Sequence, residues 1–287
     1  MRWRKMVVGK KRRKKQQKRH YLKIKMMIFG ILVAAILLIA AFAPYLCPYD
    51  PYEQDLMSAL KPPSMEHLMG TDRYGRDMFS RVIMGSQTTV FSALLLVVII
   101  SVLGTAVGLC CGYCGGRIDS FFMRVSDVFL AFPGMVFALA VAGTMSGGVM
   151  SAVISLACIS WPKYARISRS QVMTVKNRTF IAASRLSGSS PLKVILKHIL
   201  PNVAGPVIVT AVLDIGTMMM ELAGLSFLGL GATPPTAEWG SMMSNGRSML
   251  QTCPWTILAP GFAIFVTVMI FNLAGDAVRD FLDPAHR

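Results

Sequence analysis

Apolar residues in this chain come in long uninterrupted runs, not in the alternating or one-faced patterns of a soluble fold. Residues 26–46 make a 21-residue apolar run, long enough to cross a bilayer as a helix. Residues 88–112, 128–145, 147–161, 203–230 and 255–273 repeat the pattern with polar stretches between, so six transmembrane helices are predicted. The second carries Gly104 and Gly108, spaced for close helix packing. The third carries Pro133-Gly134 as a kink, and the fourth is short for a span. Ala41-Phe42-Ala43 resembles a signal-peptide cleavage site. The apolar run is too long for a signal peptide, and Pro44 would follow the cut, which favours an uncleaved first span.

The most basic interior stretch is residues 163–202, with eight Lys or Arg between Lys163 and Pro201 and no Asp or Glu. Its second half, from Phe180 to Asn202, predicts two short helices joined by a turn at Gly188-Ser189-Ser190. Ser190 is a good N-cap and Pro191 suits a first helical turn. Leu192, Ile195, Leu196 and Ile199 fall on one face, and Pro201 is expected to end the helix. Such a hairpin resembles a DNA-binding helix-turn-helix locally, but spans on both sides exclude that.

Charge then orients the chain. Of the 30 basic residues, 13 lie in residues 1–25. With the N-terminus inside, the cytoplasmic segments hold 25 Lys or Arg and the outer ones 5. Both termini are therefore expected to be cytoplasmic, with the basic tail on the anionic leaflet lipid and no nucleic-acid partner. The result is an all-α polytopic membrane protein. Its predicted order is a basic tail (1–25), a first span (26–46), an extracytoplasmic segment (47–87), a main transmembrane domain (88–276) and a cytoplasmic C-terminal tail (277–287). The loop at 163–202 lies within that fourth part.

Little in the sequence supports catalysis. There is no G-x-x-x-x-G-K-[ST] phosphate loop, no H-E-x-x-H and no G-x-S-x-G. The six cysteines lack zinc-ligand spacing, so no metal site is expected; a bridge between Cys47 and Cys253 stays open. The fifth span holds Asp214 and Glu221, with Thr217 and Met218 on the same side of the helix. An ionisable group inside a span costs roughly 2.5–3.5 kcal/mol, so these four are candidates to line a translocation path. Their competing role is a hydrogen bond to a neighbouring helix.

The hairpin resembles the coupling loop of permease subunits in bacterial ABC importers, whose pattern is Glu-Ala-Ala, three residues, Gly, nine residues, an aliphatic, two residues, Pro. Aligned on Gly188, Ala182 stands where the family has Glu, Ala183 follows, His198 holds the aliphatic position and Pro201 closes the motif. Gly70-Thr71-Asp72, Gly75-Arg76-Asp77 and Ser80-Arg81 resemble the signature before the second span of peptide and nickel permeases. Leu225 to Gly231 with Glu238-Trp239-Gly240, and Gly275-Asp276, Arg279-Asp280 and Asp283-Pro284, resemble two further signatures. Ala183 to Gly188, with Leu213 to Gly216, is most similar to the C-type nickel permease. The resemblance implies a type I importer permease fold in the bacterial inner membrane, with nickel as cargo and di- or oligopeptide as the alternative. It implies a second, homologous permease, two ATPase subunits that bind the ATP and Mg, an extracytoplasmic binding protein, and no cofactor on this chain. Phe180, Ala182, Ala183, Arg185, Gly188, Pro191, His198 and Pro201 would meet the ATPase, and Asp72, Arg76, Asp77 and Arg81 would face the binding protein. A secondary transporter or channel is the rival, but the chain shows no inverted repeat.

Overall fold

The computed structural model describes residues 2–282, with side chains placed for residues 22–281. Within these the chain is all-helical. In order come α1 (Arg2–Ala41), α2 (Ala43–Leu46), α3 (Met78–Cys114), α4 (Gly116–Ala131), α5 (Gly134–Gly143), α6 (Val149–Val175), α7 (Thr179–Leu186), α8 (Pro191–Val194), α9 (Leu200–Leu225), α10 (Trp239–Gly246) and α11 (Trp255–Leu282). Among the described residues four helical stretches are long and apolar enough to cross a membrane: Leu22–Ala41, Met78–Cys114, Pro191–Leu230 and Trp255–Phe281. Residues 1–21 of the basic tail and the Asp283-Pro284 part of the C-terminal signature lie outside the described side chains.

Small residues let α3 and α6 pack at backbone distance. A Cβ on Gly104 would sit 2.4 Å from the Trp161 carbonyl oxygen, and one on Gly108 2.4 Å from that of Ala165. Side-chain removal at these two positions is what brings Leu96, Ile100, Leu156 and Tyr164 into one apolar cluster with Met219 and Leu225 of α9. α11 packs on α9, and α1 covers α11 and α3.

Four expectations are corrected. The third span is not one kinked helix: α4 and α5 meet at a 92° bend. Pro133 forces Phe132 into an extended conformation (ψ 144°), which stops α4 outright. Second, Pro201 does not end a helix. A π-helical turn over Ile195–Ile199 carries the chain into α9, with the Leu200 N–H donating to the Ile195 carbonyl five residues back. Pro201 follows in the first turn of α9, where it is tolerated. Third, the apolar face of the hairpin is divided. Ile199 is buried and Ile195 half-buried, whereas Leu192 and Leu196 point outward and Val194 takes their place inside. The widened turn changes the angular register of a 3.6-residue helix, so the simple i, i+3, i+4, i+7 stripe does not survive it. The fourth helix also outruns its expected end at residue 161, continuing through Pro162 to Val175.

Candidate functional site: a docking hairpin, a charged helix pair and an outer cap

The hairpin starts after α6. Arg178 enters extended, α7 runs eight residues, and Gly188 turns the chain with φ +77°, a value that suits glycine. The Ser190 hydroxyl accepts the Lys193 N–H, and Pro191 opens the next helix as expected. Ile181, Val194 and Ile199 are fully buried and fix the hairpin to the body. The Arg185 guanidinium stacks over Tyr113 at 5.0 Å, tying α7 to the end of α3. Outward stand Phe180, Leu186, Leu192 and Leu196, with Leu186 90% exposed. Ala182, Ala183, Gly188 and Pro191 share that exposure, while His198 is half-buried. A partner would meet an apolar ridge bordered by Arg178, Lys193 and Lys197.

Three of the eight basic residues of the segment are engaged with α3 and α4. Arg169 pairs with Asp119 (Nη2–Oδ2 2.6 Å), Arg166 with Asp127, and Lys176 donates to the Gly112 carbonyl at 2.9 Å. These contacts join α6 to α4 and cap α3.

The fifth-span acids differ sharply in environment. Asp214 is buried; its carboxylate accepts Lys163 Nζ at 2.6 Å and the Tyr164 hydroxyl at 2.9 Å. Glu221, two turns on, is half-buried and has no ion-pair partner among the described residues. Thr217 is exposed beside it, and Met218 is buried. Lys163 and Tyr164 were not singled out from the sequence as site residues. The available signal was that Lys163 follows the apolar run of residues 147–161 directly, without a turn residue other than Pro162.

The cap over the start of α3 is built from residues 47–77. Asp77 is the N-cap of α3, accepting the Ser80 N–H at 2.7 Å, and His67 Nδ1 lies 3.0 Å from its other oxygen. Asp72 binds Arg76 at 2.6 Å and lies 3.7 Å from Arg81. Trp255 Nε1 donates to the Thr71 carbonyl, fastening the cap to α11. Arg76, Asp77 and Arg81 are buried and Asp72 is mostly covered, so the cap exposes Arg73 instead.

Comparison with known proteins agrees with this architecture. Residues 104–287 match the family described as binding-protein-dependent transport system inner membrane component. Residues 25–63 match the N-terminal transmembrane domain of oligopeptide transport permease C. The chain is 42% identical over 254 residues to the nickel transport system permease protein NikC of Escherichia coli, covering 88% of this chain and 92% of the relative. It is 40% identical to the probable D,D-dipeptide permease DdpC of the same organism, covering 89% and 86%. It is also 40% identical to the dipeptide permease DppC of Alkalihalophilus pseudofirmus, covering 91% and 86%. In fold it is similar to a chain of the inward-facing MetNI methionine ABC transporter, with TM-score 0.55, 18% identity, and coverage of 70% of this chain and 96% of that one. The chain therefore belongs to the binding-protein-dependent inner membrane permeases, as a multi-pass C-type member of the peptide and nickel branch of ABC importers.

Proposed function

We propose that this chain forms half of the translocation path of a nickel importer, taking nickel as ion or chelate. Six membrane crossings with both termini cytoplasmic underlie the reading. The bent α4–α5 pair supplies one crossing and α6 another, beside the four long apolar stretches. A second homologous permease completes the path. Two ATPase subunits, which carry the ATP and Mg, dock under the hairpin. An extracytoplasmic binding protein delivers cargo to the cap, and this chain hydrolyses nothing and holds no cofactor.

The observation that carries the docking role is the exposed ridge of Phe180, Leu186, Leu192 and Leu196 on a hairpin whose inner face is fully packed. Because α8 runs through the π-turn into α9 as one stretch, Pro191–Leu230, a push on the ridge is transmitted along a stiff element to Asp214 and Glu221. Phe180, Ala182, Ala183, Arg185, Gly188, Pro191, His198 and Pro201 form this coupling element; Asp214, Thr217, Met218 and Glu221 belong to the path wall. Asp72, Arg76, Asp77 and Arg81 serve the binding-protein face from beneath, by holding the cap that presents Arg73.

Nickel rests on similarity to NikC and on Ala182 in place of the usual loop Glu. The dipeptide alternative is favoured by relatives almost as similar. Uptake of labelled nickel against labelled dipeptide, in a strain lacking its own systems for both and expressing the complete transporter, separates them. Nickel accumulation without dipeptide uptake is expected, and the reverse pattern would transfer the assignment to peptides.

A further inference from the structure

The sequence offers two carboxylates to the path, but the structure leaves only one of them open and adds an ammonium. Lys163 Nζ sits 2.6 Å from Asp214 Oδ1, and the lysine side chain is 51% exposed while the Asp214 side chain is 6% exposed. Asp214 falls in the middle of α9, fourteen positions after its first residue, so Lys163 lies at a comparable depth. A charged ammonium at such a depth does not face lipid tails; it faces water or protein. The open side of Lys163 therefore marks the path wall independently of the acids.

The donor count sharpens this. An ammonium has three N–H donors and no acceptor. One is directed at Asp214, whose second oxygen is occupied by the Tyr164 hydroxyl. Lys163 makes no other hydrogen bond among the described residues, and its half-exposed side chain leaves the remaining donors open. Glu221 stands two turns from Asp214 on α9, about 10 Å along the axis at 1.5 Å per residue, with exposed Thr217 between them. The wall thus presents a cation with free donors and, farther along, an unpaired carboxylate. Asp214 balances the charge of Lys163 but holds it in place, much as a fixed counter-ion would. A bare divalent cation gains nothing at Lys163 and is repelled there. A cargo carrying a carboxylate finds a partner at Lys163, and an ammonium or metal centre on the same cargo finds one at Glu221.

We propose that Lys163 is a specificity-determining residue of this permease and that it selects cargo bearing a carboxylate. Two sources share that chemistry: a peptide with a free C-terminus, and a nickel ion chelated by amino-acid carboxylates. The inference rests on the reading that this chain lines a translocation path for one of those cargoes. It goes beyond that reading in excluding the hydrated metal ion as the preferred form.

The test uses the complete transporter in cells lacking their own nickel and dipeptide uptake. Four probes are compared: labelled nickel chloride alone, the same with excess L-histidine, labelled dialanine, and dialanine amide. The informative variant is Lys163→Met combined with Asp214→Asn, which removes both charges and leaves no buried carboxylate without a partner. Wild-type protein is expected to prefer the histidine chelate over nickel alone, or dialanine over its amide. In the double variant, uptake of the carboxylate cargo below saturation should fall about tenfold, the value of one lost charge-assisted hydrogen bond. Uptake of the carboxylate-free counterpart should fall by a clearly smaller factor, so that the preference for carboxylate cargo collapses, whereas Lys163→Arg in otherwise wild-type protein should keep it. Co-purification of the ATPase subunits reports assembly; if the double variant does not assemble, Lys163→Gln is expected to give the same selective loss. An unchanged preference in the assembled variant overturns the role of Lys163 while leaving the importer reading intact. A wild-type transporter that takes up none of the four probes overturns the nickel-or-peptide cargo reading and this inference with it.

Discussion

Glu238 and Thr89 bind each other across 149 positions of sequence, with the Thr89 hydroxyl donating to the Glu238 carboxylate at 3.3 Å. The same carboxylate accepts the Gly240 and Ser241 N–H groups at 2.8 Å, so one buried acid caps α10 and joins it to α3. Thr89 also accepts the Trp239 N–H at 3.2 Å, which closes the cluster. Replacing Glu238 by Ala strands these donors without water, at a cost of about 2–4 kcal/mol. Glu238→Gln keeps one acceptor oxygen and should cost roughly half as much. Denaturation midpoints of the purified protein in detergent should rank wild type, Gln, Ala; an Ala variant as stable as wild type would show that water reaches α10.

Gly104 gives a steric counterpart. A Cβ there would lie 2.5 Å from that of Tyr164 as well as against the Trp161 carbonyl, so α3 and α6 must separate to admit even Ala. Separation also pulls on Tyr164, whose hydroxyl holds Asp214. Gly104→Ala is expected to lower the midpoint by an amount typical of overpacking, about 1–3 kcal/mol. Gly30→Ala on α1 meets nothing within 4 Å and should be neutral or slightly stabilising. Equal behaviour of the two variants would refute the close α3–α6 contact.

Much of this was legible from sequence because a bilayer enforces simple rules. Spans announce themselves by length, and Gly104 and Gly108 mark a close crossing in the order of residues alone. The turn at Gly188, the cap at Ser190 and the start at Pro191 are local chemistry and came out as expected. What was not legible depends on partners far apart in the chain. Asp214 reads like Glu221 until Lys163 is placed against it, and Arg166 and Arg169 read as free charge until α4 is placed beside them. The π-turn before Pro201 was hidden for another reason: proline normally signals an end, and only the widened turn lets helix continue.

The hairpin ridge yields a prediction about coupling rather than stability. Leu186 and Leu192 are 90% and 65% exposed, so their replacement removes no internal packing. Leu186→Asp with Leu192→Asp should leave the denaturation midpoint within about 0.5 kcal/mol of wild type. The same variant should lose the ATPase subunits on purification, because two carboxylates would be buried unpaired in the interface. Retention of the ATPases by the double variant would move the docking surface elsewhere. Ala182→Glu, at an exposed position where the family pattern has Glu, is expected to assemble normally.

Cys47 tests the outer cap chemically. Its thiol donates to the carbonyls of Ala43 at 3.1 Å and Ser80 at 3.3 Å, and both Cys47 and Cys253 are free thiols. Burial, with the nearby Asp77 charge adding to it, pushes the Cys47 thiol above its ordinary value. A raised value means a smaller thiolate fraction at neutral pH, and the thiolate is the form that reacts with maleimide. Cys47 should therefore label more slowly at pH 7 than exposed Cys114 at the end of α3, and its rate should keep climbing as pH is raised. Asp77→Asn removes the charge and should speed Cys47 labelling at pH 7, because loss of a neighbouring anion favours the thiolate. Mass spectrometry of the labelled peptides checks the order. Cys47 labelling as fast as Cys114 in wild type would mean that the cap opens in solution and leaves the Ala43 and Ser80 carbonyls to water.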